Sequence, residues 1–287
     1  MNNSGFLLID KPEGITSFQV ISQLRKITGI RKIGHTGTLD PFATGLLPLC
    51  IGNTTRLASF LSDSSKTYQA ILKLGIKTDT GDITGQITET APLMEFSEAQ
   101  IASAVIEILK LQQQIPPAYS AIKLDGKRAY ELARKGEEVN LASRPIHIHS
   151  FRIVSSAPPF INYEAAVSKG TYIRVLSETF AALLGNLATT CELRRTEIGN
   201  LNITQSVKLA DLTSANWKKF LLSPAEVLTL PRLKLTGAEE IKFSHGIKLP
   251  VTSPPLEFCL VLSENDNSLG IAAIDATGWL LPRIVLS

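Results

Sequence analysis

The sequence lacks the features that define disulfide-stabilised, secreted or membrane-spanning proteins. Its three cysteines, Cys50, Cys191 and Cys259, show no C-x-x-C spacing, which argues against a disulfide or zinc framework and favours a reducing compartment. The N-terminus carries only a short apolar run over residues 6–9, so no signal peptide is predicted. No apolar run approaches the length of a membrane span. We therefore expect a soluble cytoplasmic protein.

Charge is modest as well. The formal net charge is +3 and charged residues make up 19% of the 287 residues, which is compatible with nucleic acid but does not identify it. Any RNA affinity must therefore come from where the lysines and arginines lie. The hydrophobic content of 44% is enough to bury a core and excludes a disordered chain. The length allows one large domain and a small one.

Residues 34–45 form the most informative stretch. They contain three glycines together with His35, Asp40 and Pro41. Glycine lets the backbone approach a ligand closely, and the proline favours an extended or turn conformation at Asp40. Apolar runs on both sides predict a polar loop held between packed elements, where catalytic residues are often found. The same pattern fits a tight connection in which Asp40 only forms an Asx turn.

Two phosphate-binding motifs are absent from this loop. No lysine follows Gly37 or Gly45, as a P-loop would require. The spacing of the loop glycines does not match the G-x-G-x-x-G dinucleotide fingerprint either. Pattern rules alone therefore leave His35 and Asp40 without an assigned chemistry.

Helix signals occur on both sides of the loop. A helix is predicted from Thr16 or Ser17 to a cap at Gly29. A capping box at residues 97–100 predicts a second helix, and an apolar stripe ending at Gly185 predicts a third. The residues expected to face the core in these two helices are Ile101, Val105, Ile108 and Leu109, and Ile173, Leu176, Phe180, Leu183 and Leu184.

Alternation predicts strands elsewhere. Residues 66–76 alternate apolar and polar side chains, with Tyr68 on the buried face. After Pro231 the chain reads as short strands separated by turns. Residues 119–135 interleave basic and aromatic side chains, which suits RNA as well as a solvated helical face. His147 and His149 could begin a metal site, but no further ligand is nearby in sequence, and a surface strand face is favoured.

A family resemblance extends these interpretations. Residues 34–49 resemble the motif of the TruB family of pseudouridine synthases, which modify uridine-55 in the TΨC loop of tRNA; they read GHTGTLDPFATGLLPL. Further segments resemble the family in the right order, at residues 11–14, 66–68, 78–82, 117–121, 144–145, 169–174 and 193–195. The resemblance covers roughly residues 5 to 213 well and the tail weakly.

The resemblance implies an architecture. It predicts an α+β pseudouridine synthase fold with a mixed, largely antiparallel central sheet flanked by helices. It assigns residues 1–227 to the catalytic domain, with an RNA-binding thumb insertion at about 116–143. Residues 228–287 are then a small, β-rich, PUA-like RNA-binding domain.

The resemblance also implies an activity. It predicts an isomerase that flips uridine-55 out of the tRNA loop, breaks its N1–C1′ bond and rejoins the base through C5. A carboxylate would attack C1′ or take a proton from C2′, and no cofactor or metal is expected. The expected partner is the TΨC stem-loop of tRNA, with no protein partner and a monomeric state.

Eight residues carry this expected site. Asp40 is the catalytic carboxylate, kept ionised by Arg174, and His35 helps to hold the flipped nucleotide. Tyr68 stacks on the uracil, and Tyr172 and Leu193 line the pocket. The substrate-binding set is His35, Tyr68, Tyr172, Leu193, Arg174, Lys11 and Arg56, of which Lys11 and Arg56 are expected to contact phosphates.

Two alternatives remain open at this point. A non-catalytic RNA-binding protein on the same scaffold would explain the basic and aromatic segments. A nucleoside glycosidase would use the same carboxylate to release free uracil.

Overall fold

The computed structural model describes residues 3–124 and 126–286. In these ranges the backbone forms seven α-helices, α1 (Ser17–Thr28), α2 (Ala58–Ser62), α3 (Glu98–Leu109), α4 (Ala129–Ala133), α5 (Ile173–Leu183), α6 (Pro224–Val227) and α7 (Gly237–Ser244). The strands are β1 (Gly5–Lys11), β2 (Ile33–His35), β3 (Thr44–Ile51), β4 (Lys66–Leu74), β5 (Ile76–Thr78), β6 (Ile87–Thr90), β7 (Gln113–Gln114), β8 (Lys123–Leu124), β9 (Lys127–Arg128), β10 (Arg144–Pro145), β11 (Ile148–Ala157), β12 (Phe160–Val167), β13 (Ala188–Ile198), β14 (Leu201–Asn202), β15 (Val207–Lys208), β16 (Arg232–Lys234), β17 (Leu249–Pro250), β18 (Leu256–Leu262), β19 (Ser268–Ile274) and β20 (Trp279–Val285). None of the described helices combines the length and the apolar character that crossing a bilayer requires.

The chain folds as two compact units. The first unit contains the residues up to Pro41, Gly45–Ser62 and the residues from Asn200 onward. The second unit contains Phe42–Thr44 and Asp63–Gly199. The limits of these units do not coincide with the predicted boundary between residues 227 and 228, and that division into domains stays a prediction.

One sheet of the first unit carries the loop of interest. Strand β1 pairs antiparallel with β3, from Gly5 opposite Ile51 to Lys11 opposite Gly45. Strand β2 pairs antiparallel with β3, and β15 pairs parallel with β1. Helix α1 begins as predicted, because the Thr16 side chain accepts the Gln19 N–H. It ends at Gly29, whose φ of 73° favours glycine.

A second sheet of the first unit contains the C-terminal residues. Its strand order is β16-β18-β19-β20-β17, in which β16 and β18 are parallel and the other pairs are antiparallel. Helix α7 packs on this sheet through Phe243, which is fully buried. The short strands expected after Pro231 are confirmed, and α7 is an additional element that the strand pattern did not predict. The missed signal is Thr236 followed by Glu239, a capping box that opens α7.

The second unit is built on an antiparallel sheet. Its strand order is β11-β12-β4-β13, and helices α3 and α5 pack against it. Tyr163 on β12 is fully buried, and its hydroxyl lies 2.7 Å from Ser177 Oγ on α5. Both units therefore carry mixed or antiparallel sheets with helices, as predicted.

The predicted core positions of α3 and α5 are partly confirmed. Ile108 and Phe180 are fully buried, but Leu109 is 40% exposed and Leu183 is 45% exposed. Each of the two leucines is the last residue of its helix. Leu184, which directly follows α5, is 4% exposed as predicted, so Leu183 is exposed because it points away from the core at the end of the helix.

A glycine in the C-terminal sheet provides a test of this packing. A methyl group on Gly270 of β19 would collide with the Ile284 carbonyl oxygen of β20 and would lie 3.0 Å from the Phe243 ring. We expect Gly270→Ala to lower the free energy of unfolding by about 3 kcal/mol or more, because backbone cannot move away as a side chain can. Chemical denaturation followed by tryptophan fluorescence measures it, since Trp279 lies on β20.

Gly246→Ala is the matched control in the same sheet region. Gly246 has a φ of 75°, and no atom lies within 4 Å of a Cβ added there. Its replacement by alanine should therefore lower the free energy of unfolding by only about 1 kcal/mol. Equal losses for the two variants would contradict the close approach of β19 and β20.

Candidate active site

The Asp40 loop is fixed on its C-terminal side by a buried lysine. The ammonium group of Lys11 donates to the carbonyl oxygens of Pro12 (2.9 Å), Ile15 (2.7 Å) and Pro41 (3.2 Å). The backbone N–H of Gly14 donates to the same Pro41 carbonyl at 2.8 Å. The residue that directly follows Asp40 therefore accepts two hydrogen bonds from the segment that ends β1.

A serine fixes the loop on the other side of Asp40. The Ser17 hydroxyl accepts the Leu39 N–H at 2.9 Å and donates to the Leu39 carbonyl at 3.1 Å. Ser17 is the first residue of α1 and is 2% exposed. Both neighbours of Asp40 are thus bonded to other elements, which limits the positions that its backbone can take.

The two titratable residues of the loop reach solvent. His35 and Asp40 are each half-buried, while Thr36 and Leu39 between them are buried. His35 is held on β2 opposite Leu49 of β3. An accessible carboxylate on a fixed backbone is what a nucleophile or a general base requires.

The structure corrects the expectation for Lys11. Its side chain has no exposed surface, and its three donors serve backbone carbonyls. A side chain placed in this way cannot contact a phosphate of an RNA bound at the surface. Lys11 instead anchors the loop that carries Asp40.

Arg56 is exposed and lies beside the C-terminal sheet of its own unit. Its guanidinium donates to the Val285 carbonyl at the end of β20. Asn53, in the same helical turn, donates to the Leu286 carbonyl at 3.1 Å, and the Phe60 and Phe258 rings meet edge to face at 5.3 Å. The turn that contains Arg56 is therefore an attachment point for the C-terminal sheet, and the expected contact of Arg56 with a phosphate stays a prediction.

Tyr68 lies in the second unit beside two buried cations. It is 8% exposed, and it shares one face of β4 with Lys66, which is 7% exposed. Arg195 of β13 pairs with Tyr68 across the sheet and is almost fully buried. Burial, together with the nearby Arg195 charge, lowers the pKa of Lys66 to about 8. Positive charge therefore collects around the start of β4.

Tyr172 is held by a buried glutamine. Its N–H donates to Gln114 Oε1 at 2.8 Å, and its carbonyl accepts from Gln114 Nε2 at 3.1 Å. These two hydrogen bonds fix the backbone of Tyr172, the residue that directly precedes α5. The Tyr172 side chain is half-buried. Leu193 lies on β13 opposite Ala70 and is 7% exposed.

Arg174 is anchored by a loop of its own unit. Its guanidinium donates to the Thr80 carbonyl and, at 2.9 Å, to the Tyr119 carbonyl. Asp82 Oδ2 lies 3.6 Å from Arg174 Nη1, and both side chains are nearly fully buried. Asp82 is therefore a carboxylate that partners Arg174 within this unit, whereas the expected pairing of Arg174 with Asp40 stays a prediction.

A cavity of about 250 Å³ adjoins Arg174 in the second unit. Its lining includes Asp79, Gly81 and Glu178. Burial raises the pKa of Glu178, and the charges of Lys77 and Arg174 oppose that increase. No group of three or more metal-ligating side chains occurs among residues 3–124 and 126–286.

The predicted thumb insertion carries exposed cations around one aromatic ring. Strands β8 and β9 form a short antiparallel pair with Lys123 opposite Arg128. The guanidinium carbons of Arg128 and Arg134 lie 6.0 and 5.4 Å from the Tyr130 ring centroid. Lys123 and Lys127 are exposed. This arrangement presents positive charge and an aromatic face at the surface.

The sequence interpretation missed three residues that support the site. They are Ser17, Gln114 and Asp82. Each is buried and makes hydrogen bonds or an ion pair with a residue that is distant in the sequence. The sequence marks Ser17 as a helix start and places Asp82 within the motif at residues 78–82, but it identifies no partner for either.

The structure places the predicted site residues in two groups. Lys11, His35, Asp40 and Arg56 belong to the first unit, and Tyr68, Tyr172, Arg174 and Leu193 belong to the second. Their assembly into one pocket stays a prediction.

Comparisons with known proteins give close relatives. Over 268 residues the chain is 41% identical to the tRNA pseudouridine synthase B of Oenococcus oeni, covering 88% of this chain and 90% of that protein. It is 38% identical over 287 residues to the protein of the same name from Aromatoleum aromaticum, covering 99% and 92%. The Clostridium tetani protein of that name is 41% identical over 247 residues and covers 86% of each.

Solved structures confirm the fold class. A Cbf5-Nop10-Gar1 complex contains a chain that superposes with a TM-score of 0.75 at 22% identity, covering 99% of this chain and 85% of that chain. An archaeal Nop10-Cbf5 complex gives a TM-score of 0.72 at 20% identity, covering 99% and 86%. At these identities the likeness concerns the fold, and it is the predicted α+β pseudouridine synthase fold.

A family match identifies the chain. Residues 25–173 match the family described as the TruB family pseudouridylate synthase, N-terminal domain. This match covers the Asp40 loop, Tyr68 and Tyr172, and the relatives extend it over most of the chain. The protein belongs to the TruB family of pseudouridine synthases, as its sequence motifs predicted.

Proposed function

We propose that this protein converts uridine-55 in the TΨC loop of tRNA to pseudouridine, with Asp40 as the catalytic carboxylate. The relatives named tRNA pseudouridine synthase B support tRNA as the substrate. Position 55 and the TΨC stem-loop are our inference from the motif resemblance. The protein acts as a cytoplasmic monomer that needs no protein partner.

One observation carries this proposal. Asp40 lies between Leu39 and Pro41, whose backbone groups are held by Ser17, Gly14 and Lys11. A residue that served only as a turn would not need buried side chains from two other elements to set its neighbours. A carboxylate on a fixed backbone reacts faster, because less conformational entropy is lost on reaching the transition state.

The reaction balances without any added group. The N1–C1′ bond breaks, and the carboxylate of Asp40 either bonds to C1′ or accepts the C2′ proton. The uracil turns and C5 bonds to C1′, while the Asp40–C1′ bond breaks or Asp40 returns the proton to C2′. The C5 proton then leaves to solvent and N1 gains one. No atom or electron is gained or lost overall, so the reaction is an isomerisation.

The remaining residues hold the substrate. His35 keeps the flipped nucleotide out of the stack, since a base in a stacked loop is out of reach. Tyr68 stacks on the uracil, Tyr172 and Leu193 line its pocket, and Arg174 stabilises the ionised Asp40. Asp82 lies 3.6 Å from Arg174 Nη1 and helps to hold the guanidinium within its own unit.

A single assay distinguishes this function from its rivals. An unmodified tRNA transcript with tritium at C5 of its uridines is incubated with the protein, and the released tritium and free uracil are both measured. A synthase releases tritium without free uracil, a glycosidase releases free uracil, and an RNA-binding protein releases neither. Mapping the product by reverse-transcription stops after carbodiimide treatment then tests position 55.

Asp40→Asn tests the catalytic assignment. The amide keeps the size of the side chain but can neither bond to C1′ nor accept the C2′ proton effectively. We expect single-turnover tritium release to fall by roughly three to four orders of magnitude. RNA affinity should be retained or slightly increased, because a negative charge facing a polyanion is removed.

Asp211→Asn is the control for charge, since Asp211 is an exposed carboxylate of the same unit. It should keep the wild-type rate. Near-wild-type turnover in Asp40→Asn would instead favour the Asx-turn interpretation, because asparagine forms such turns well.

The thumb insertion gives a second prediction. Replacing Lys123, Lys127 and Arg128 together by glutamine should weaken tRNA binding and lower the slope of log K against log salt by about 2, since each lost phosphate contact removes roughly 0.7. Filter binding at several salt concentrations measures this slope.

A charge-preserving variant controls for local structure. Lys123→Arg, Lys127→Arg and Arg128→Lys together keep three cations and should keep the slope. If the glutamine variant also kept it, these residues would be an ordinary solvated surface.

A further inference from the structure

The chain has a basic segment without any acidic residue before the Asp40 loop. Residues 14–39 contain no Asp or Glu, although the chain has 26 acidic residues in total. The same residues contain Arg25, Lys26, Arg31 and Lys32, all of them exposed. The segment includes α1 and leads directly to Asp40. We call the surface formed by these four cations, together with the exposed Phe18, the basic face.

The cations of the basic face have no carboxylate partner among the described residues. Elsewhere exposed cations do pair, as Lys110 does with Glu107 and Arg152 with Glu164. The helix dipole accounts for Arg25 and Lys26 in the last turn of α1. It does not account for the absence of acidic residues along the whole segment. Like charges gathered without counter-charge favour a polyanionic partner.

Side-chain hydrogen bonds position two cations of the basic face. Arg25 Nε donates to the Arg31 carbonyl at 3.0 Å, which ties the end of α1 to the chain beyond Gly29. Lys32 Nζ donates to Asn53 Oδ1 at 3.3 Å. Arg25 and Lys32 are thus positioned by the first unit itself, and each keeps further donors for a ligand.

An exposed aromatic ring lies in the first turn of α1. Phe18 is 63% exposed, and the Arg25 guanidinium carbon lies 5.8 Å from its ring centroid. A single exposed phenylalanine is common and proves nothing by itself. Its position is informative, because the preceding residue is Ser17, which is hydrogen-bonded to Leu39 through both backbone groups. The ring is therefore carried on a turn that is bonded to the residue before Asp40.

We propose that the basic face is a second RNA contact surface, in which Phe18 stacks on an unpaired base and the cations bind the phosphates of the same strand. An aromatic ring beside cations is the combination that single-stranded RNA recognition uses. This inference rests on the proposed function, since the substrate strand must leave the Asp40 loop on one side or the other. The basic face would give the first unit an RNA contact of its own, in addition to the contact made by the thumb insertion.

Binding measurements test the cations. Lys26→Gln with Arg31→Gln removes two cations that make no described ion pair, and it should lower the salt slope of stem-loop binding by roughly 1.5. Lys110→Gln with Arg152→Gln removes the same charge from exposed sites of the second unit and should leave the slope unchanged. Equal slopes for the two double variants would overturn the phosphate contacts.

Phe18→Leu tests the stacking. It keeps an apolar side chain but removes the flat ring, so the stem-loop should bind about 5-fold to 150-fold more weakly. Phe18→Trp should restore affinity, and a fully paired RNA duplex should bind Phe18→Leu and the wild type equally. An unchanged stem-loop affinity, or the same loss on the duplex, would overturn the stacking. A loss that appears with an acidic peptide but not with RNA would assign the face to a protein partner.

These outcomes are separable from the activity. All the measurements are equilibrium binding and need no turnover. A wild-type protein that forms no pseudouridine but binds RNA through the basic face would overturn the proposed function alone. A wild-type protein that forms pseudouridine, with Phe18→Leu and the double variant binding normally, would overturn the basic face alone.

Discussion

The carbonyl of Pro41 is the group on which the account of this protein depends. It follows Asp40 directly, and it accepts hydrogen bonds from the Lys11 ammonium and the Gly14 N–H. A lysine with no exposed surface is costly unless its donors are satisfied, so the loop and the lysine stabilise each other. With Leu39 held by Ser17 on the other side, the backbone of Asp40 is positioned before any substrate arrives.

The second unit uses the same kind of support. Gln114 holds the backbone of Tyr172, while the Thr80 and Tyr119 carbonyls and Asp82 hold Arg174. In each case, the hydrogen bonds that satisfy a buried polar group also hold a residue of the proposed active site in place. Buried polar groups that are fully bonded specify one arrangement, which is what a reacting pocket needs.

Much of this fold could be predicted from local pattern. Helix α1 has its cap at Thr16 and its stop at Gly29, and β4 shows plain alternation, so both were identified. The loop containing Asp40 was recognised by its motif. The supporting contacts could not be predicted, because Lys11 to Pro41 and Gln114 to Tyr172 join residues distant in sequence that periodicity does not connect. Lys11 was misassigned for the same reason, since a basic residue near a motif resembles a phosphate ligand until its burial and its partners are known.

The most direct test of this account is the single-turnover rate of pseudouridine formation by Ser17→Ala, measured together with its RNA dissociation constant. The change leaves Asp40 and the surface cations intact and removes both hydrogen bonds to Leu39. Because a small displacement of a reacting group is costly, the account predicts a rate lower by about tenfold or more, with the dissociation constant changed less than about twofold. A rate equal to that of the wild type, in a folded protein, would show that fixing the loop backbone does not set the activity of Asp40.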